Sequence, residues 1–88
     1  MKLWISNMAP EVTDEELREF LGKYGLHDVA LIERVPGDGS RPGAFISFAN
    51  ADIKQLGAIA LRLDGLFWKG RRIVVQTTLG LGEDKPGR

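Results

Sequence analysis

The sequence contains no cysteine and a single histidine, His27. The lack of cysteine excludes disulfide bonds, cysteine-ligated zinc, iron–sulfur clusters and thiol nucleophiles. With one histidine, a metal site built from several histidines is excluded, and a Ser–His–Asp triad would depend on His27 alone. We expect no metal and no cofactor in this chain.

Long apolar segments are also missing. The longest uninterrupted apolar run covers residues 56–61, whereas a membrane-spanning helix needs about 20 residues. Near the N-terminus only residues 3–5 are apolar in succession, and a signal peptide needs an apolar stretch of about 7–15 residues. We expect no membrane partner and a cytoplasmic location, or a nuclear one in a eukaryotic cell.

Neither sign of charge is in excess. Twelve lysines and arginines balance twelve aspartates and glutamates among the 88 residues, and 43% of the residues are hydrophobic. This composition predicts one globular domain with a single two-layer core. A net charge of zero argues against a strongly basic surface for nucleic acid, but basic and acidic residues on different faces would give the same sum.

Hydrophobic periodicity predicts four strands, over residues 2–6, 29–34, 44–48 and 73–78. In the second strand, we expect Val29 and Leu31 to face the core. The residues expected on the opposite side of the sheet are Trp4, Ser6, Ala30, Ile32, Arg34, Phe45, Ser47, Val74 and Gln76.

Two helices are predicted between these strands. Thr13 and Glu16 have the spacing of a capping box at the start of the first helix, and Gly25 suits its end. Asn50 is expected to cap the second helix, whose core-facing residues would begin with Ile53.

The element order is therefore β-α-β-β-α-β. It predicts an α+β fold of the ferredoxin-like, split βαβ type, in which a four-stranded antiparallel sheet carries both helices on one face. Residues 67–71 resemble a small turn or hairpin before the last strand. Residues 80–88 show no periodicity, so we expect the domain to span 1–79 and the remaining residues, 80–88, to form a disordered tail.

The other face of this sheet is predicted to be open, and it carries Trp4 and Phe45 on two neighbouring central strands. Exposed rings side by side are unfavourable unless another molecule or segment covers them. Nucleic-acid bases stack on such surfaces and gain about 1–3 kcal/mol per base. The alternative is that the tail or a second chain buries both rings.

Two short motifs carry a resemblance to a known family. Residues 3–8 match, at every position, a hexapeptide of aliphatic, aromatic, aliphatic, variable, asparagine and aliphatic residues. Residues 41–48 fit six of the eight positions of an octapeptide that begins with a basic residue and contains alternating aromatics. Residues 63–75 are similar to the same family's segment from the second helix to the last strand. The chain thus resembles the RNA-recognition motif family over residues 2–78.

The resemblance implies a monomer that binds single-stranded RNA, and secondarily single-stranded DNA, without enzymatic activity. By position, Trp4 and Phe45 would stack on bases, and Arg41 would contact a phosphate. The other residues implied as phosphate or base-edge contacts are Lys2, Ser6, Arg34, Ser47, Arg72, Val74, Gln76 and Thr78.

The octapeptide departs from the family's pattern at Pro42 and Gly43. The aromatic residue that Gly43 replaces usually packs against sugars, so one ring of three is missing. We expect weaker and less selective binding than in a member with the full motif, and tighter binding after Gly43→Phe. The cations expected around the rim of the sheet are Arg34, Arg41, Lys69, Arg71 and Arg72. Since they are few, the salt dependence of binding should be shallow.

A peptide-binding function is a second interpretation. Some relatives in splicing factors bind peptides through an acidic first helix and an Arg-x-Phe loop before the last strand. Here the first helix is acidic from Glu11 to Glu19, but the loop over residues 66–68 lacks the arginine. If Trp68 in this loop is exposed, it would contact the peptide. The alternative is that Trp68 packs against the second helix.

An enzyme is the third interpretation. Acylphosphatases share the element order, but their loop after the first strand is glycine-rich and holds a catalytic arginine. Residues 7–10 contain neither feature, so we expect no enzyme. The start at Met1, directly before the first strand, favours a small standalone protein of the kind that bacteria make in this family.

Overall fold

The computed structural model describes residues 2–50 and 52–78. Within them the chain forms β1 (Lys2–Ser6), α1 (Asp14–Lys23), β2 (Val29–Val35), β3 (Gly43–Phe48), α2 (Ile53–Leu63), β4 (Phe67–Trp68), β5 (Arg71–Arg72) and β6 (Val74–Thr78). The predicted tail over 80–88 and the domain end at 79 lie outside the described residues. Neither helix of the described part is long and apolar enough to cross a bilayer.

Four of the strands form one antiparallel sheet in the order β2-β3-β1-β6, so β1 and β3 are central neighbours as predicted. Both helices pack on one face of this sheet, where their apolar residues join those of the strands in a single buried cluster. This layering confirms the ferredoxin-like α+β fold. β4 and β5 pair separately, as a two-stranded hairpin between α2 and β6.

The centre of the inner face of the sheet is apolar. Leu3 and Ile5 of β1 and Ala44 and Ile46 of β3 are fully buried. Removing a side chain of the size of leucine from water contributes about 1.5–3 kcal/mol. No polar side chain is buried within residues 2–50 and 52–78. Because successive residues of a strand point to opposite faces, the residues that alternate with these buried ones face away from the core.

The capping box predicted for α1 is present. The Thr13 hydroxyl accepts a hydrogen bond from the Glu16 backbone N–H at 3.1 Å, and the Glu16 carboxylate accepts one from the Thr13 N–H at 3.0 Å. Gly25 lies just beyond the helix with a φ of 94°, a left-handed conformation that glycine adopts without strain. Both predicted ends of this helix are therefore confirmed.

The start of α2 differs from the prediction. The helix begins at Ile53 with Asp52 at its N-cap position and no side-chain cap hydrogen bond, so Asn50 is not the cap. Ile53 is 62% exposed because the first turn borders a groove beside Thr77 of β6 and not the core. The buried stripe starts one turn later, at Leu56.

A β-bulge in β2 reverses the predicted facing of its middle residues. The register with β3 shifts between Val29 and Leu31, so that Leu31 lies opposite Ser47 and Ile32 opposite Ile46. Ile32 packs against the core, whereas Leu31 is 51% exposed. The predicted orientation of both residues is wrong, because a bulge adds one residue to a strand and a shift of one residue exchanges its two faces.

The small hairpin predicted before the last strand is confirmed, with Lys69 and Gly70 in its turn. Their φ angles of 53° and 83° are both positive, as a two-residue type I′ turn requires. Trp68 of β4 stacks on Phe20 of α1, with ring centroids 4.2 Å apart and an angle of 18° between the planes. Trp68 therefore packs against the first helix, a contact that the sequence did not predict.

Candidate nucleic-acid interface

The centre of the open face is a pair of aromatic rings. Trp4 on β1 lies directly opposite Phe45 on β3, and the ring centroids are 4.6 Å apart with the planes tilted by 45°. Both side chains are partly exposed, since the alternate residues of their strands form the core. The two rings chosen from the sequence thus form one continuous aromatic surface, which we call the aromatic platform.

Gly43 lies beneath the indole of Trp4. A Cβ atom at position 43 would come within 2.6 Å of Trp4 Cη2 and 2.9 Å of the Ile5 carbonyl oxygen, distances at which one of the groups must move. Gly43 is buried for the same reason. Trp4 thus extends over position 43, and only glycine leaves room for the indole there. The weaker binding expected from the absent ring stays a prediction.

Most of the polar residues predicted to contact RNA surround the platform. The residues that share the open face with it are Lys2, Ser6, Ser47, Val74, Gln76 and Thr78. These residues face the same side as Trp4 and Phe45 because residues directly opposite one another in an antiparallel ladder point to the same side. Gln76 is the ladder neighbour of Trp4, and its amide can both donate and accept hydrogen bonds at a base edge.

An acidic residue that sequence reasoning missed also lies on this face. Glu33 is the ladder neighbour of Phe45, and its Oε1 accepts a hydrogen bond from Lys2 Nζ at 3.0 Å. The same Nζ lies 5.8 Å from the centroid of the Phe45 ring, within range of a cation–π attraction. Glu33 faces outward because of the bulge in β2, which the alternation of apolar and polar residues does not signal.

Arg34 lies on the opposite side of the sheet. Its Nη1 donates to Asp14 Oδ1 at 2.8 Å, and its Nη2 donates to the Val12 carbonyl at 3.1 Å. Its ladder neighbour, Ala44, is a core residue. The bulge thus directs Arg34 toward the helices, and the prediction that it contacts RNA on the open face does not fit this placement.

Two of the three cations in the hairpin hold the fold together. Lys69 Nζ donates to Glu16 Oε2 of α1 at 2.9 Å, and Arg71 Nη1 donates to the Ser40 carbonyl at 2.8 Å. At the end of β1, Asn7 has a φ of 61°, and its Nδ2 donates to the Arg72 carbonyl at 2.9 Å. The hairpin is therefore tied to α1, to the loop between β2 and β3, and to β1.

Two exposed arginines remain near this end of the sheet. Arg41 precedes β3 and Arg72 ends β5, and neither guanidinium donates a hydrogen bond to another described residue. Nearby, the backbone N–H and hydroxyl of Ser40 donate to Asp38 Oδ1 at 2.9 and 2.7 Å. These hydrogen bonds lower the pKa of Asp38, with a smaller contribution from the charge of Arg41. The turn formed by Asp38 and Ser40 therefore directly precedes Arg41 in the loop between β2 and β3.

The surface expected to bind a peptide contains two open spaces. A groove of about 880 Å³ lies along the exposed side of α1 and is lined by Glu15, Glu16, Arg18, Glu19, Gly22, Lys23 and His27. The cavity between α1 and the hairpin measures about 180 Å³ and is lined by Phe20, Trp68 and charged residues. Its aromatic residues already stack on each other. In the described part of the chain, no group of three or more metal-ligating side chains lies together.

Comparison with known proteins identifies the family. The sequence profile described as "RNA recognition motif" matches residues 3–74. Polyadenylate-binding protein 5 of Arabidopsis thaliana is 27% identical over 70 residues, which are 74% of this chain and 10% of that protein. RNA-binding protein spenito of Drosophila melanogaster is 34% identical over 59 residues, 67% of this chain and 7% of that protein. The chain thus spans a tenth or less of either curated relative.

A solved structure shows the same fold. It is described as the RRM of Rna15 with bound RNA (GU), and it superposes on this chain with a TM-score of 0.70 at 15% sequence identity. The match covers 93% of this chain and 86% of the other. At that level of identity, the likeness shows the fold alone.

Proposed function

Because the chain belongs to the RNA recognition motif family, we propose that it binds single-stranded RNA across the open face of its sheet. The observation that carries this proposal is the aromatic platform, in which Trp4 and Phe45 touch and both remain partly exposed. Each ring offers a surface to one base, and stacking contributes about 1–3 kcal/mol per base. The bound RNA in the similar Rna15 structure supports the same class of ligand.

The residues around the platform are suited to the remaining parts of a nucleotide. Ser47, Gln76 and Thr78 carry neutral donors and acceptors that fit base edges and sugar hydroxyls. Arg41 and Arg72 are suited to phosphates at the end of the sheet where β3 begins. With so few phosphate contacts, the logarithm of affinity should fall with the logarithm of salt concentration with a slope of about −1 to −2.

The family is one of RNA-binding domains and not of enzymes. We propose that this chain likewise acts by binding alone, as a monomer without a cofactor. Single-stranded DNA would be a secondary ligand, because stacking on aromatic rings does not depend on the sugar. A cytoplasmic location, or a nuclear one in a eukaryote, is part of the same proposal and is based on sequence composition.

Fluorescence anisotropy with a labelled random-sequence RNA hexamer tests the proposal. The double variant Trp4→Ala, Phe45→Ala should lose about 2–6 kcal/mol of binding free energy, the sum of two stacked bases. Tyr24→Ala is the control, because Tyr24 is an exposed aromatic at the end of α1, away from the open face. The affinity of Tyr24→Ala for the RNA hexamer should match that of the parent protein.

Chemical shifts distinguish this proposal from peptide binding. RNA should perturb backbone amides of β1 and β3, and a basic peptide should leave them unchanged. Undiminished RNA binding by the double variant would contradict the platform. RNA-induced shifts confined to α1 and the hairpin would move the site to the helix side of the protein.

A further inference from the structure

Glu33 places a negative charge on a surface proposed to bind a polyanion. Its side chain is 48% exposed, and that of Lys2 is 33% exposed. The Lys2–Glu33 ion pair of 3.0 Å and the position of Lys2 Nζ 5.8 Å from the Phe45 ring hold the carboxylate beside that ring. A base stacked on Phe45 would therefore bring one of its edges to Glu33.

The ion pair leaves half of the carboxylate available. Lys2 donates to Oε1 of Glu33, and no residue in 2–50 or 52–78 donates a hydrogen bond to Oε2. An ionised carboxylate only accepts hydrogen bonds, so Oε2 can accept one from a donor on the edge of a base. The Lys2 ammonium compensates the negative charge and so limits repulsion of the RNA phosphates.

The bases differ in what they present to such an acceptor. Cytosine carries an amino group at N4, a donor that carboxylates accept from. Uracil has the carbonyl oxygen O4 at the same position, and its one Watson–Crick donor, N3–H, stands between two carbonyl oxygens. A carboxylate repels those oxygens, so a uracil at this position meets an unfavourable edge.

We propose that Glu33 is a specificity-determining residue, which selects a base with an exocyclic amino group over uracil at the Phe45 position. Lys2 acts as a positioning residue that fixes the carboxylate. This inference rests on the proposed function, because it assumes that a base stacks on Phe45. The family signature does not include Glu33, and its outward position depends on the bulge in β2.

Labelled hexacytidylate and hexauridylate are the appropriate probes, because both bases are single-ring pyrimidines of equal size that differ in the groups at positions 3 and 4. In fluorescence anisotropy at one fixed salt concentration, the parent protein should bind the cytidylate about five-fold more tightly, the lower end of the discrimination expected from hydrogen bonding to a base. Glu33→Gln should bring the ratio to about one or below, because the glutamine amide can donate to O4 of uracil.

Glu19→Gln is the matched control. It removes the same charge from an exposed position on α1, so it can alter affinity for both probes but should leave their ratio unchanged. Equal affinity of the parent protein for both probes would overturn the inference. So would an unchanged ratio in Glu33→Gln, since a uniform gain in affinity shows a charge effect alone. Failure of the parent protein to bind either probe would overturn the proposed function, and this inference with it.

Discussion

The two faces of the sheet use charged residues in opposite ways, and two consecutive residues of β2 show the difference. Arg34 points to the helices and donates to Asp14 and to the Val12 carbonyl. Glu33 points to the open face and is held beside Phe45 by Lys2. The charge on the closed face completes the fold, whereas the charge on the open face is positioned next to a stacking surface.

The comparison also explains what the zero net charge means for binding. Three of the cations expected around the rim, Arg34, Lys69 and Arg71, donate to other parts of the protein. Only Arg41 and Arg72 of that set have no such partner within the described ranges. Counting basic residues in the sequence therefore overestimates the number that can meet phosphates.

The largest expected effect separates the two faces within β3. Ile46 is fully buried and Phe45 is partly exposed. Ile46→Ala should lower the free energy of unfolding by about 2–5 kcal/mol, while Phe45→Ala should lower it by about 1 kcal/mol. Urea denaturation measures both. Phe45→Ala should instead weaken RNA binding, and equal losses of stability in the two variants would contradict the assignment of faces.

Gly43→Ala should affect both stability and binding. The added Cβ collides with Trp4 and with the Ile5 carbonyl, so we expect a loss of stability of about 1–3 kcal/mol from overpacking and weaker binding of an RNA hexamer. Gly57→Ala on α2 is the control, because nothing lies within 4 Å of its added Cβ and alanine favours a helix by about 1 kcal/mol. Tighter RNA binding by Gly43→Ala or Gly43→Phe would show that Trp4 does not need this glycine.

Salt dependence distinguishes arginines on the two sides. Arg41→Ala should reduce the slope of log affinity against log salt by about 0.7, the value for one phosphate contact with a single strand. Arg34→Ala should leave that slope unchanged and lower stability by about 1 kcal/mol or less, since its ion pair is partly exposed. Anisotropy titrations from low to moderate salt give both slopes. A smaller slope in Arg34→Ala would place that residue at the RNA.

The smallest effect concerns pH. Hydrogen bonds from Lys69 and Thr13 lower the pKa of Glu16 below its usual value of 4.5. A carboxyl group whose pKa is lowered by folding stabilises the protein above its unfolded pKa, and that contribution disappears as pH falls through the folded pKa. The melting temperature measured by thermal unfolding should therefore fall below about pH 4.5. It should fall less in Glu16→Gln than in the parent protein. An equally steep loss in the variant would show that other carboxylates are responsible.

Sequence patterns predicted the elements that local chemistry determines. The capping box of Thr13 and Glu16, the glycine at position 25 and the alternation in β1 and β3 are properties of neighbouring residues, and all are confirmed. The platform could be predicted for the same reason, because alternation alone directs Trp4 and Phe45 to the open face.

The parts that failed depend on contacts between distant residues. The bulge in β2 arises from pairing with β3, so periodicity could not show that Glu33 and Leu31 face outward. The sequence also does not reveal that the Trp4 side chain, from another strand, covers Gly43. Trp68 likewise finds its stacking partner, Phe20, on an element far along the chain.

The central claim, that RNA bases stack on Trp4, can be tested directly by fluorescence. The chain has two tryptophans, so Trp68→Phe leaves Trp4 as the only one while retaining an aromatic ring against Phe20. Titration with hexacytidylate should quench this emission in a saturable manner, with the same dissociation constant as anisotropy of the labelled RNA. Saturable binding by anisotropy with unchanged Trp4 emission would contradict the account.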